Sequence, residues 1–528
     1  MSAWAEQRSG SGAWAERRLA ASPAADMLLA AALGALQTLA YVHTAAWALQ
    51  LLCIAGLAWR VQAATPRRAA LLGAAFGTTW VASGVWWLFI SMHRYGGLPA
   101  PLAAAAVLLL ALVLSGYLAV ATAAAARARR GHWLADAGLF TLAWLATELA
   151  RGLIFSGFPW IATGYAQIDS PLAAWAPWIG VYGIGALVAW AAALLAGAVA
   201  RGWRIAAPGL LGSVVLLGLP ALIGPGEFTR ATGSLKVTLL QANVPQDEKF
   251  VIERLPATLA WVAAALQQAQ GDLVIAPETA VPLLPEQLND FDPRYWPQLR
   301  EHFRRPGAPA ALLGVPLGDF QSGYTNSVLA LDAAGTPYRY DKTHLVPFGE
   351  FIPTGFRWFT EMMNIPLGDF ARGPLNAPSY ALRGERVAPN ICYEDLFGEE
   401  LALRFTDPAT APTVLANLSN IGWFGDTIAV TQHLQISRMR TLELQRPMLR
   451  ATNTGATVII DHRAHVSARL PPFTRGALSG EVQGRSGRTP YVAWVGTIGL
   501  WPLLLAAWLA LALLAWRAGQ GAPGKLAG

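Results

Sequence analysis

The chain has 528 residues, 54% hydrophobic and only 13% charged, with a formal net charge of +7. That composition excludes an ordinary water-soluble enzyme and points to an integral membrane protein. Nucleic acid is excluded as a partner, because the basic residues form short clusters between apolar runs rather than a stripe with stacking aromatics. Two cysteines, with Cys53 inside an apolar run, give no disulfide framework. Eight scattered histidines lack ligand spacing, so neither metal nor cofactor is expected.

Residues 1–23 read as a polar cytoplasmic segment without a separate cleavable signal. A membrane-spanning helix needs roughly 20 mostly apolar residues. Candidate spans run 24–42, 43–60, 69–91, 100–126, 134–154, 176–200 and 205–224, a seven-helix transmembrane domain over 24–224. The first two nearly fuse, and His43 and Thr44 read as a tight turn. An eighth span covers 491–516, ahead of a tail at 517–528. Arg8, Arg17, Arg18, Arg60, Arg67, Arg68, Arg127, Arg129, Arg130, Arg201, Arg204, Arg517 and Lys525 fall in alternate connections between these spans, and so on one side of the membrane. With that side cytoplasmic, residues 225–490 lie outside, in the periplasm of a Gram-negative cell. Trp80, Trp86, Trp87, Trp160, Trp175 and Trp178 near span ends suggest an interfacial belt. Glu148 and Arg151, three apart at membrane depth, read as an ion pair, with a lipid-headgroup site as the alternative.

Residues 225–490 have the composition of a water-soluble domain. Strand-like runs lie at 235–245, 272–280, 310–318, 325–332, 386–392, 413–420 and 456–462. Helical patterns lie at 253–270 and 430–449, which together give an α/β layered domain. Pro/Gly-rich stretches at 218–227 and 484–490 frame it as linkers.

Three polar residues stand at ends of strand-like runs: Glu278 in APETA, Lys342 in DKTHLVPFGE and Cys392 in PNICYED. Singly, each reads as a solvated carboxylate, an exposed lysine and a buried thiol. Jointly they offer a base, a cation and a nucleophile at one sheet edge. The run after Cys392 reads as a helix whose amino terminus would favour the thiolate.

These motifs resemble the Glu–Lys–Cys triad of the nitrilase, or carbon–nitrogen hydrolase, superfamily. With the membrane spans, and with GFPW (157–160), QANVPQ (241–246), GWFGDT (422–427), QHL (432–434) and RPMLRATNTG (446–455), the chain is similar to the apolipoprotein N-acyltransferase family. The resemblance implies eight transmembrane helices carrying a nitrilase-like α-β-β-α sandwich. It implies Glu278 as general base, Lys342 as the lysine, Cys392 as nucleophile, and Glu350, Tyr393 and Glu394 as supporting residues. Two positions depart from it: Phe250 stands where the family commonly has Trp, and Ile421 where it often has Asp.

The implied reaction moves an acyl chain from a phospholipid, typically phosphatidylethanolamine, through a cysteine thioester. The acceptor is the α-amine of an apolipoprotein's diacylglyceryl-cysteine, in the last step of bacterial lipoprotein maturation. The implied location is the inner membrane. A membrane-tethered amidase or nitrilase would share the triad, and a non-catalytic membrane scaffold is the third reading. The aromatic and Met-rich segment 351–370 is a candidate lipid arm through Phe356, Trp358, Phe359, Met362 and Met363. Phe250 and Trp423 are further lipid-contact candidates, and 282–299 is a weaker candidate cover.

Overall fold

The apolar runs form helices wherever they fall among the described residues, which in this computed structural model are 22–202, 207, 211–215, 218–219, 224, 226–335, 337–353, 355 and 369–520. Among these residues, six helices are long and apolar enough to cross a membrane: Pro23–Val42, Thr44–Ala63, Ala100–Ala128, Trp133–Ser156, Pro171–Arg201 and Trp501–Gln520. A seventh candidate is a pair, Pro66–Gly84 and Leu88–Tyr95, bent by 61°. The predicted span 205–224 falls largely outside the described residues, so the expected count of eight becomes six or seven here.

Several predicted spans are interrupted, 176–200 at Gly180 (φ 65°) among them. The run at 69–91 bends after Gly84, where Gln432 Nε2 donates to the Gly84 carbonyl (2.9 Å). A side chain capping a helical carbonyl in this way frees the chain to turn. The run at 491–516 is cut at Gly499, whose φ of 70° only glycine adopts without strain. Pro490–Ile498 is therefore a separate short helix, and Pro502 opens the long one.

Arginines gather at one end of the bundle. Arg60 and Arg68 both pair with the buried Asp26, Arg129 donates to the Gln62 carbonyl, and Arg201 donates to Gly131 (2.9 Å). The other helix ends meet the α/β domain. Three of the six tryptophans expected in a belt are instead buried in the protein. Trp80 is buried and stacked on Trp144, while Trp87 and Trp160 are buried and both donate to Gln432 Oε1 (3.0 and 2.9 Å). Only Trp86 and Trp178 are clearly exposed. Glu148 and Arg151 do pair (3.0 Å), fully inside the protein, with Glu148 also accepting from the Thr163 amide and hydroxyl.

The α/β domain is two facing six-stranded sheets. The first has the order β12-β1-β2-β3-β4-β5, the second β11-β10-β9-β8-β7-β6. In chain order the strands are β1 (Thr229–Gln241), β2 (Leu273–Ala276), β3 (Ala310–Asp319), β4 (Gly323–Leu331), β5 (Arg339–Asp341), β6 (Tyr380–Leu382), β7 (Glu385–Ile391), β8 (Val414–Ser419), β9 (Met448–Thr452), β10 (Val458–Ile460), β11 (Val466–Arg469) and β12 (Gly476–Gly487). Central pairs β1–β2–β3 and β7–β8–β9 are parallel. Strands covered on both faces are apolar throughout, as LVIA in β2 is. Leu239, Ile275 and Leu312 of the first sheet meet Val387, Leu418 and Leu449 of the second in a dry core.

Helices cover both outer faces. Leu255–Gln268 and Tyr295–Phe303 pack on the first sheet through Leu259, Leu266, Leu299 and Phe303. Segment 282–299 is thus largely two helices anchored by Leu288, Tyr295 and Leu299 rather than a loose cover. Ile428–Leu444 packs on the second sheet and against the membrane helices, in one continuous apolar core. That helix stops five residues before the predicted limit of 449. Gln445 turns left-handed (φ 44°) and Pro447 cannot continue a helix, so Met448 begins β9. The predicted linker at 484–490 is partly the end of β12, which pairs antiparallel with β1.

Candidate active site

Glu278 and Lys342 follow strands of the first sheet, β2 and β5, whereas Cys392 follows β7 of the second. The expected single sheet edge is therefore a seam between two sheets. Glu278 and Cys392 both leave their neighbouring strands through tight turns, with left-handed backbone at Thr279 (φ 51°) and at Cys392 itself (φ 50°). Such a conformation costs a residue with a Cβ about 1–3 kcal/mol and persists only where surrounding contacts impose it. Gly314 makes room for the first turn, since a Cβ there would lie 2.4 Å from the Pro277 carbonyl and 2.7 Å from Glu278 Cα.

A buried network joins the charged groups. Lys342 Nζ donates to Glu350 Oε1 (2.9 Å) and lies 3.5 Å from Glu278 Oε1. Asn326 Nδ2, on β4, donates to both carboxylates, at 2.7 Å to Glu278 and 2.9 Å to Glu350. The Asn420 amide donates to Glu278 Oε2 (2.8 Å). Burial alone would lower the Lys342 pKa, but Glu350 and Glu278 outweigh it and hold the ammonium firmly protonated.

Cys392 is only partly covered, yet enough protein surrounds it that burial pushes its thiol up to about 12, Glu278 adding to the rise and Lys342 opposing it. Burial thus favours the neutral thiol and outweighs the help expected from a helix amino terminus. The following turn, Cys392–Leu396, is a single 3₁₀ segment, too short to supply much positive potential against that desolvation.

The acidic residues beside the thiol face away from it. Glu394 Oε2 accepts from the Ile391 amide (2.6 Å) and the Tyr340 hydroxyl (2.8 Å). Its Oε1 accepts from the amides of Thr343 (2.6 Å) and His344 (3.2 Å). Glu394 therefore staples the cysteine turn to the lysine loop. Asp395 binds His433 (2.9 Å), Ser437 (2.5 Å) and Arg450 (3.3 Å); burial opposes its charge, but His433 and Arg450 keep its pKa below the usual range. Glu394→Ala leaves several buried donors unpaired, and a loss of about 3 kcal/mol or more is expected, read as a lower unfolding midpoint in detergent together with lost activity.

Tyr393 also points away from the sulfur. Its hydroxyl donates to the Gly157 carbonyl (3.0 Å), which ties the cysteine turn to the GFPW loop of the membrane bundle. Tyr393→Phe removes that one bond, so a cost of about 1 kcal/mol in stability and a small change in activity are expected. A loss of activity as large as that from a catalytic substitution would instead assign the hydroxyl to the chemistry.

Phe250 is half-buried in the turn after β1, and Trp423 is half-buried with its ring edge-on to Tyr95 (5.9 Å) of the bent membrane pair. Ile421 is fully buried, so no polar role survives at that position. Phe356, Trp358, Phe359, Met362 and Met363 lie outside the described residues.

Sequence reasoning missed three groups. Asn326 carries no signal beyond a polar residue in an alternating strand. Ser419, last in β8, is fully buried, and its hydroxyl opposes the rise of the Cys392 pKa. Lys249, next to Phe250, is 4% exposed, and its Nζ donates to the Glu278 carbonyl oxygen (3.1 Å). Burial pushes its pKa down to about 8, against the pull of Glu278 and Cys392. A lysine in the acidic, polar run QDEKF reads as surface.

Two facing sheets flanked by helices, with a thiol, an ammonium and two carboxylates gathered at strand ends, define a carbon–nitrogen hydrolase-type domain, here fused to a bundle of membrane helices. Residues 236–491 match the carbon-nitrogen hydrolase family, and residues 33–194 match the apolipoprotein N-acyltransferase N-terminal domain. The chain is 53% identical over 480 residues to an apolipoprotein N-acyltransferase of Verminephrobacter eiseniae, covering 86% of this chain and 89% of that one. It is 48% identical over 472 residues to one of Ralstonia nicotianae, covering 87% and 88%. The chain belongs to the apolipoprotein N-acyltransferase family.

Proposed function

We propose that this enzyme transfers an acyl chain from a membrane phospholipid to the α-amine of the diacylglyceryl-cysteine of apolipoproteins, by a ping-pong route through Cys392. The observation that carries the reading is the Glu278–Lys342–Cys392 cluster, its charged pair buried and its thiol partly open, in a domain packed directly on membrane helices. A hydrolase of soluble amides needs no such bundle. Phosphatidylethanolamine is the proposed donor, and the inner membrane, with the α/β domain periplasmic, is the proposed setting. The arginine-bearing helix ends support that orientation, because they lie at the bundle end away from the domain.

In the first half-reaction Glu278 takes the thiol proton as the sulfur attacks the donor ester. Proton removal coupled to attack is what a thiol held at about 12 requires. Lys342 and the Tyr393 amide stabilise the oxyanion, and Glu278 returns the proton to the departing lysophospholipid. The thioester divides a slow ester-to-amine transfer into two faster steps. In the second half-reaction the acceptor amine attacks, Glu278 collects a proton, and the Cys392 thiol is regenerated.

Mass spectrometry of enzyme incubated with phospholipid tests this directly. The expected result is a fatty acyl thioester on Cys392 that is discharged by a diacylglyceryl lipopeptide to give N-acylated lipopeptide. Free fatty acid as the sole product identifies a hydrolase instead.

Segment 351–370 is proposed as an arm that admits acyl chains, because it follows Lys342 and Glu350 directly and is rich in Phe, Trp and Met. Photocrosslinkers at Phe356, Trp358 or Met362 are expected to capture phospholipid. Capture at control surface positions but not here removes the arm assignment.

A further inference from the structure

The acyl-transfer reading leaves a proton unaccounted for. The acceptor α-amine has an ordinary pKa of about 8, so at neutral pH it arrives mainly as an ammonium without a lone pair. Forming the amide removes two protons from that nitrogen, one before attack and one as the tetrahedral intermediate collapses. Glu278 accounts for one, because it passes that proton to the departing Cys392 sulfur. A hydrolase faces no such demand, since water arrives neutral. The transferase needs one more base in the site.

Lys249 is placed for that role. It is buried beside the general base, and its Nζ has a single partner among the described residues, the Glu278 carbonyl oxygen at 3.1 Å. The loop that carries it is locked to the loop of the base: Gln246 Oε1 accepts from Asn420 Nδ2 (2.9 Å), and the Asn420 amide bonds Glu278 Oε2 (2.8 Å). The charged and titratable groups that face it are Glu278 and Cys392, with Lys342 and Glu350 behind Glu278. Its chain neighbours Asp247 and Glu248 turn outward to Arg94 (3.2 Å) and Arg254 (3.7 Å).

Resting on the acyl-transfer reading, we propose that the Lys249 amine takes the proton from the incoming acceptor ammonium, so that the free amine attacks the thioester. The proton moves from the acceptor nitrogen to the Nζ lone pair. The acceptor nitrogen then bonds the acyl carbon and the carbon–sulfur bond breaks. The second nitrogen proton passes through Glu278 to the Cys392 sulfur, and Lys249 sheds its proton to water. With a pKa of about 8, Lys249 is deprotonated only in a minor fraction at neutral pH; that fraction, buried against the Glu278 carbonyl and renewed by release of its proton to water, accepts the proton from an ammonium of similar acidity.

The test separates the two half-reactions in Lys249→Arg, which keeps a cation and a donor but accepts no proton, and in Lys249→Met. Lysophospholipid release reports acyl-enzyme formation, and thioester discharge by a diacylglyceryl lipopeptide reports transfer. Transfer is expected to fall about 100-fold further than acylation. Discharge by hydroxylamine, which is unprotonated at neutral pH, is expected to be spared, and raising the pH is expected to restore transfer to the lipopeptide. Equal loss in both half-reactions makes Lys249 a support for Glu278 alone and overturns the proposal. Normal transfer, or a loss that hydroxylamine shares, overturns it too. An unmutated enzyme that never forms a thioester overturns the acyl-transfer reading itself and the proposal with it.

Discussion

Cys392→Ser is expected to lose acyl-enzyme formation and overall transfer together, by about 10⁴-fold or more. In the proposed mechanism the position demands a nucleophile whose proton a carboxylate can accept during attack. Burial already pushes the thiol up to about 12. A serine hydroxyl in the same place is far less acidic and a poorer nucleophile, and the same desolvation acts against its alkoxide. The fold should tolerate the change, because the turn is held by Glu394 and by Asn417 Nδ2 on the Cys392 carbonyl (3.2 Å), not by the sulfur. The measurement is intact-protein mass after exposure to phospholipid, beside lysophospholipid release. Turnover near the normal rate would remove Cys392 from the mechanism.

Glu278→Gln is expected to retain the fold and to lose about 10³-fold or more in acyl-enzyme formation. Lys342 keeps Glu350 as its partner at 2.9 Å, so no buried charge is stranded. What disappears is the proton acceptor. The residual reaction must then draw on thiolate formed by simple ionisation; loss of the Glu278 charge eases that ionisation, but burial, the larger cause, still holds the thiol up, so little thiolate forms at neutral pH. The residual rate is therefore expected to climb about tenfold per pH unit through the neutral and mildly alkaline range. The unmutated enzyme should lack that steep slope. A flat profile for the variant contradicts the assignment of Glu278 as base.

Much of the site was legible because strand ends leave a local signature. An apolar run such as LVIA ending at Pro277–Glu278, or RVAPNI ending at Cys392, marks a place where a buried strand meets a polar group. Lys342 was legible as a cation at the end of a strand-like run, and Glu350 only through the family resemblance of the loop that follows it. Asn326 was not, although it bonds both carboxylates, because a single asparagine in an alternating strand is what any half-exposed strand contains. Glu394 and Asp395 follow Cys392 closely in the chain, a position from which like charge would disfavour a thiolate. Their hydrogen bonds show both side chains turned elsewhere, toward the lysine loop and the Ile428–Leu444 helix.

The membrane motifs divide in the same way. GFPW and QHL lie more than 270 residues apart, yet Trp160 of the first donates to Gln432 of the second (2.9 Å). Apolar runs announce helices but not bends, so the break after Gly84 was invisible until Gln432 was seen to cap it.

The sequence by itself determined the membrane class, the arginine asymmetry, the layered α/β domain, and the three residue types of the candidate triad. These are encoded locally, by hydrophobic period, span length and the residues that end a strand. Only the tertiary structure decided that Glu278, Lys342 and Cys392 straddle two sheets, that burial pushes the Cys392 thiol above its ordinary pKa, and that Lys249 is buried beside Glu278. Those properties depend on desolvation and on charges brought together from distant parts of the chain, sums to which no single stretch of sequence contributes more than one term.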